Sequence, residues 1–259
     1  MIQLSDIHAA RERLRGGVVD TPCKPTQACQ DLVPGNLHFK FENLQRTGSF
    51  KDRGALNKLS CLSPEERIRG VVTASAGNHA QAVAYHASRL GICATVVMPE
   101  FTPLIKVSNT KRFGARVIQT GATLSDGLEE VYRMVEEDGM TLVHAFDDDE
   151  VIAGQGTIGL ELIEQAEELK TVVVPIGGGG IISGIAVAVK TLKPSVRIVG
   201  VEAATAASAL TSRKAGRVVG IESAETLADG IAVKQVGERT FPIIQKYVDD
   251  IVTVEEEEI

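Results

Sequence analysis

From Gly70 to Glu202, short β-branched runs alternate with longer runs whose apolar residues recur at helical spacing, the pattern of a sheet built with helical crossovers. The strands it predicts are Val71 to Ala74, Ala94 to Met98, Arg116 to Thr120, Thr141 to His144, Thr171 to Val174 and Arg197 to Glu202. Most are continuously apolar and do not alternate, so helices should cover both sheet faces. The expected class is α/β, a mainly parallel, doubly wound sheet. Ser63-Pro64-Glu65-Glu66 reads as a capping box with proline at the first helical position, and Thr102-Pro103 repeats the cap-then-proline order. Ile181 to Leu192 is apolar almost all round and belongs in the interior.

Upstream, an apolar strand from Leu37 to Phe41 leads through a polar turn holding Thr47, Gly48 and Ser49 into a helical run from Lys51 through Leu59. A lysine in that position sits beside unpaired amide donors and the positive end of the helix dipole, which lowers its ammonium pKa. A lowered pKa makes an amine a nucleophile. A solvated helix lysine is the plain alternative, and two further stretches weigh against it.

Gly177, Gly178, Gly179 and Gly180 follow an apolar strand and run at once into a helix, leaving amides free for an anion that can approach the backbone. The spacing is not G-x-G-x-x-G, because Ile182 and Ser183 stand where the last glycine would fall, and no G-K-S/T follows. A lone phosphate monoester is favoured over a dinucleotide or P-loop nucleotide. Ser75 to Gln81 lies at a second strand-to-helix junction, where free amides and the Ser75 hydroxyl can hold a carboxylate and the Asn78 amide can donate to a phenolic oxygen. Taken alone, an N-capping serine and a turn asparagine explain that stretch at least as well. His79 reads as a packed or capping residue, and Asp229-Gly230 as a turn pair.

With Phe50-Lys51, the Ser75 to Gln81 stretch and the four glycines arriving in this order, the chain resembles the fold-type II pyridoxal-phosphate enzymes, and within them the threonine/serine dehydratases. The resemblance runs from Thr21 nearly to Ile259. It implies a two-lobed, tryptophan synthase β-like architecture, with residues 1–69 and 146–259 forming a large cofactor-binding lobe and residues 70–145 a small inserted one. It implies pyridoxal 5'-phosphate as cofactor, bonded through Lys51, which also removes the Cα proton of substrate. By the same resemblance Phe50 packs against the pyridine ring. Gly177, Gly178, Gly179, Gly180 and Ile181 cup the phosphate, Asn78 contacts the ring 3-oxygen, and Gly230 lies near the cofactor. Ser75, Ala76, Gly77, Asn78 and His79 grip the substrate carboxylate. The implied reaction converts L-threonine to 2-oxobutanoate and ammonia, and L-serine to pyruvate, within amino-acid metabolism such as isoleucine biosynthesis, in a homo-oligomer.

Three departures sharpen this reading. Serine racemases of this fold carry a serine, acting as a second-face acid/base, where this chain has Ala76; one-face chemistry favours elimination over racemisation. Some relatives bind a divalent ion after the strand ending at Glu202, but the aligned acidic position here is Ser208, so no metal is expected and Glu202 reads as solvated. Family members continue beyond Val252 to Ile259, adding a strand whose polar residue bonds the pyridine nitrogen, and the four glutamates before Ile259 look like a helix cap or a solvated acidic tail. A serine racemase or β-replacement enzyme of the same fold, and a non-catalytic ligand-binding fragment, are the alternatives.

Composition narrows the setting. At 44% hydrophobic and 24% charged residues, the 259-residue chain is ordinary for a water-soluble globular protein. Its net charge of -7 argues against nucleic acid as a partner. No apolar run approaches the ~20 residues of a membrane span, and Asp6 interrupts any signal-like start, so a cytoplasmic location is expected. Cys23, Cys29, Cys61 and Cys93 lack metal-binding spacing and read as reduced packing residues.

Overall fold

The structure, a computed structural model, describes residues 1–26 and 35–259. Helix α1 (Leu4–Leu14) buries Ile7, Ala10 and Leu14. Strand β1 (Cys23–Pro25) pairs antiparallel with β2 (His38–Lys40), which is the central part of the expected Leu37 to Phe41 strand. Helix α2 (Lys51–Ser60) follows, then α3 (Pro64–Arg69), whose capping box forms as the sequence predicts: Ser63 Oγ accepts from the Glu66 amide, and Glu66 Oε2 from the Ser63 amide.

The first parallel sheet and its helices comprise β3 (Val71–Ala74), α4 (Asn78–Arg89), β4 (Ala94–Met98), α5 (Leu104–Lys111), β5 (Arg116–Gln119), α6 (Leu124–Glu137) and β6 (Thr141–Leu142). Its four strands are all parallel, in the order β5-β4-β3-β6. Both faces are covered: Ala80, Val83 and Ala87 of α4 pack with Val71 and Val96, and Val131 and Met134 of α6 pack with Val72 and Val97. Two boundaries differ from expectation. Pro103 itself takes the cap position of α5, displacing Thr102 from that role. Strand β6 ends at Leu142, with the Val143 amide making one more bond to the Val72 carbonyl at 2.9 Å before the chain turns and the amides of Phe146 and Asp147 bond the His144 ring.

The chain then builds α7 (Asp149–Gln165), β7 (Thr171–Pro175), α8 (Gly180–Leu192), β8 (Arg197–Ala203), α9 (Ser208–Ala215), α10 (Thr240–Tyr247) and β9 (Asp250–Val254), with a parallel sheet in the order β7-β8-β9. Helix α8 is buried, as its composition demands, with Ile182, Ile185 and Val189 in a core shared with Val174 and Ile198. Coverage of both faces does not extend to β7: Val172 and Val174 are buried, whereas Val173 is 62% exposed. Period-two burial at this sheet edge replaces the expected continuous burial.

Helix α2 touches both halves. Ala55 and Leu59 share a core with Val71, Val83 and Val96, while Gly54 approaches α7 so closely that a Cβ would fall 2.8 Å from Val151 Cγ1. Helix α2 thus lies between α4 and α7. It is pinned there by Arg53, a fully buried guanidinium paired with Glu42 and Glu161 and hydrogen-bonded to Thr157. Two paired carboxylates compensate the desolvation of that charge.

Glu202 is not solvated. It is 0% exposed, and its two carboxylate oxygens accept the amides of Ala209 and Leu210, 2.8 Å each, at the start of α9. Burial holds its pKa above the ordinary value. Among the described residues no cluster of three His, Cys, Asp or Glu side chains is arranged to hold a metal ion. The acidic run near Ile259 is engaged, with Glu256 accepting from the Leu227 amide and the Thr205 hydroxyl. Cys61 and Cys93 are exposed and not packed, Cys23 is half-buried, all three are free thiols, and Cys29 lies outside the described residues. No described helix is long and apolar enough to cross a membrane.

Candidate active site

The turn after Gln45 places Lys51. Gly48, at φ 86°, reverses the chain, and Asp52 accepts both the amide and the hydroxyl of Thr47, closing the loop against the first turn of α2. The Ser49 hydroxyl accepts the Lys51 amide at 3.3 Å. The Lys51 side chain then runs inward, its Nζ donating to the Ala145 carbonyl at 2.7 Å and lying 5.1 Å from the Phe50 ring centroid.

Among the described residues no carboxylate pairs with this amine, and burial pushes its pKa down to about 8. The lowered pKa expected from the helix terminus arises in the structure from desolvation. Although Lys51 is half-buried as a residue, its amine is enclosed by protein.

The glycine loop lies beside the same turn. A Cβ on Gly178 would fall 2.2 Å from Phe146 Cγ, and one on Gly180 would fall 3.0 Å from Phe146 Cα. Gly179 is left-handed at φ 91°, and a Cβ there would also meet Ile244 and Thr240 at 2.8 Å. Only glycine fits these positions. The backbone is held from below by the Thr240 hydroxyl and the Gly237 amide, both donating to the Gly178 carbonyl. Among the described residues, the amides of Gly177, Gly178, Gly179, Gly180 and Ile181 find no acceptor. Free donors at the start of a 13-residue helix form a strong anion cradle.

At the second junction the Gly77 amide bonds Ser75 Oγ at 3.2 Å, and the amides of Asn78, His79 and Ala80 are free at the start of α4. Asn78 is exposed, and Ser75, Ala76 and Gly77 are half-buried. His79 turns inward: its Nε2 contacts the Val143 carbonyl at 2.9 Å, while Nδ1 is buried without a partner. Burial, with the nearby Lys51 charge, lowers its pKa to about 3, so the ring is neutral. It braces α4 against Val143 and brings this junction beside Lys51. Gly230 is exposed in a short turn, and the following Ile231 and Val233 sit against Gly177, where a Cβ would meet each at 3.1 Å.

Lys51, the Ser75–His79 junction and the glycine loop, far apart in sequence, therefore surround the turn from Val143 to Asp147. Sequence reasoning missed that turn. Ala145 supplies the carbonyl for Lys51, Phe146 packs on the glycines, and Asp147 accepts the amides of Glu238, Arg239 and Thr240 at the head of α10. Its signal was present in the run His144-Ala145-Phe146-Asp147-Asp148, with Asp148 capping α7, but no periodicity marks it.

The family model described as pyridoxal-phosphate dependent enzyme matches residues 14–259. This chain belongs to that family. The L-threonine ammonia-lyase of Thermotoga maritima is 49% identical over 259 residues, covering the whole of this chain, which spans 65% of that relative's length. Among solved structures, a threonine deaminase from tomato, Solanum lycopersicum, in its processed form, superposes with a TM-score of 0.94 at 40% identity, covering 97% of this chain and 69% of that one. Maize serine racemase superposes at 0.95 with 38% identity, covering 98% and 77% respectively.

The family's cofactor is pyridoxal phosphate, and two observations of this chain fit it. One is a cradle of unpartnered amides from which neighbouring side chains exclude any Cβ. The other is an enclosed amine with no acidic partner among the described residues, suited to bonding a carbonyl carbon.

Proposed function

We propose that this chain is the catalytic part of a threonine dehydratase, releasing ammonia from L-threonine to leave 2-oxobutanoate, and pyruvate from L-serine. The observation that carries the reading is the enclosed Lys51 amine set between an all-backbone anion cradle and a second helix start with free amides. In this reading Lys51 holds pyridoxal phosphate, Gly177 to Gly180 and Ile181 hold its phosphate, Asn78 meets its ring oxygen, and Phe50 and Gly230 flank it. When bound, the cofactor supplies an electron sink for the charge left at the substrate Cα.

The chain's own residues do the rest. The amides of Asn78, His79 and Ala80, with the Ser75 hydroxyl, orient the substrate carboxylate. Lys51, whose pKa is lowered to about 8 by burial, accepts the Cα proton in its unprotonated form. Loss of the β-hydroxyl as water and later addition of water leave the sum redox-neutral, with ammonia as the nitrogen product. Ala76 offers no proton on the opposite face, which favours elimination over the racemisation named for the maize neighbour. The similarity to the T. maritima ammonia-lyase supports the same choice. A cytoplasmic homo-oligomer without nucleic-acid or membrane partners completes the reading.

The test is a product assay on purified protein supplied with pyridoxal phosphate. Threonine should yield 2-oxobutanoate and ammonia in equal amounts, and Lys51→Ala should yield neither. D-serine formed from L-serine as fast as pyruvate would favour a racemase, cofactor binding without turnover a binding fragment, and sulfide-dependent product a β-replacement enzyme.

A further inference from the structure

His144 stands at the centre of the missed turn. Its Nδ1 receives two amide hydrogens, from Asp147 at 2.8 Å and Phe146 at 3.2 Å, so that nitrogen must present its lone pair and the ring proton must sit on Nε2. The ring also meets Phe146 edge-on, with centroids 4.6 Å apart. The turn closed by that pair of hydrogen bonds presents three groups. Ala145 aims its carbonyl at Lys51 Nζ, Phe146 occupies the space beside Gly178 and Gly180, and Asp147 reaches the amides of Glu238 to Thr240.

We propose that His144 is a positioning residue which, through an unprotonated Nδ1, folds the 144–147 turn and thereby sets both the Lys51 amine and the wall of the glycine cradle. This role rests on the proposed reading for its consequence in catalysis, but not for its effect on the turn. Burial opposes the protonated ring most; Asp147 and Asp148 favour it and Lys51 opposes it, while on α4 the neighbouring His79 has its own charge disfavoured by His144. The balance keeps the ring neutral, as an acceptor requires. Protonating Nδ1 would set a donor against two donors and open the turn.

The chemistry names its own control. An asparagine Oδ1 branches from Cγ as Nδ1 does and accepts the same amides without titrating, whereas leucine fills the space and accepts nothing. His144→Leu should weaken pyridoxal phosphate binding about tenfold or more and speed amide exchange at Phe146 and Asp147, the scale expected when buried donors lose their acceptor. His144→Asn should restore both, and should flatten the loss of cofactor affinity that the unsubstituted protein shows as His144 protonates at acid pH. If His144→Leu fails to fold, imidazole ¹⁵N resonances of the unsubstituted holoprotein decide: an unprotonated Nδ1 upholds the role. A proton on Nδ1, or unchanged exchange and affinity in a folded His144→Leu, would overturn it. Because exchange and affinity are read without turnover, a protein that deaminates nothing would sink the proposed reaction and leave this inference standing or falling alone.

Discussion

The two strand-to-helix junctions, Ala74 into α4 and Pro175 into α8, both release unpaired amides, yet they are built in opposite ways. At the glycine loop, a Cβ on any of the four residues would meet a neighbour between 2.2 and 3.1 Å away. At the serine junction a Cβ on Gly77 would meet nothing within 4 Å, and Asn78 is exposed. The first offers an anion backbone donors alone, against closely packed neighbours, an arrangement that would suit a cofactor phosphate that stays. The second combines amides with side chains in open space, which suits a carboxylate that comes and goes.

The largest expected effect falls on the rigid side. Gly178→Ala drives a methyl into the Phe146 ring, so urea denaturation should show a loss of about 1–3 kcal/mol, with weaker pyridoxal phosphate binding. Unchanged stability and affinity would mean the loop yields, and the contrast between the junctions would collapse.

Lys51 lies between the two. Below pH 8 the folded and unfolded chains both carry its charge, and the cost of burying it is present in full. Between about 8 and the ordinary 10.5 the folded chain has released the proton while the unfolded chain keeps it, so stability rises with pH and is lost again as pH falls through 8. Cofactor-free protein should therefore resist urea better at about pH 9.5 than at about pH 7, relative to Lys51→Met measured alongside. A difference of the opposite sign would show that the amine is not desolvated.

On the open side, Ser75→Ala should raise the KM for threonine about tenfold, the size of one lost hydrogen bond to a charged group, with pyridoxal phosphate affinity untouched. A matching fall in cofactor affinity would merge the two junctions into one site. The smallest effect belongs to Gly77→Ala, since the position is open and its φ of -122° is ordinary for any residue; stability should stay within about 0.5 kcal/mol. A larger loss would show that this junction too is packed.

Much of this contrast was legible in the chain itself. Four glycines between an apolar run and an apolar helix have few uses other than close approach to a backbone, and Lys51 after a polar turn marked the amine. Glu202 was read as solvated because a carboxylate's burial depends on distant amides, here Ala209 and Leu210, that its own neighbours do not announce. The same reason hid Arg53, whose partners Glu42 and Glu161 lie on other elements.

The amino-acid sequence by itself determined the α/β class, the parallel strands, the buried α8, the glycine turn that precedes it and the place of Lys51 at the head of α2. Those features arise from local pattern: period, β-branching, capping chemistry and glycine's freedom act within a few residues. Only the tertiary structure decided that the Lys51 amine is tuned by burial, that α2 lies between α4 and α7, that β7 leaves Val173 exposed, and that the His144 turn meets Lys51, His79 and the glycine loop. Desolvation and contact across long sequence separations are properties of what packs against a residue, and no window of the chain contains them.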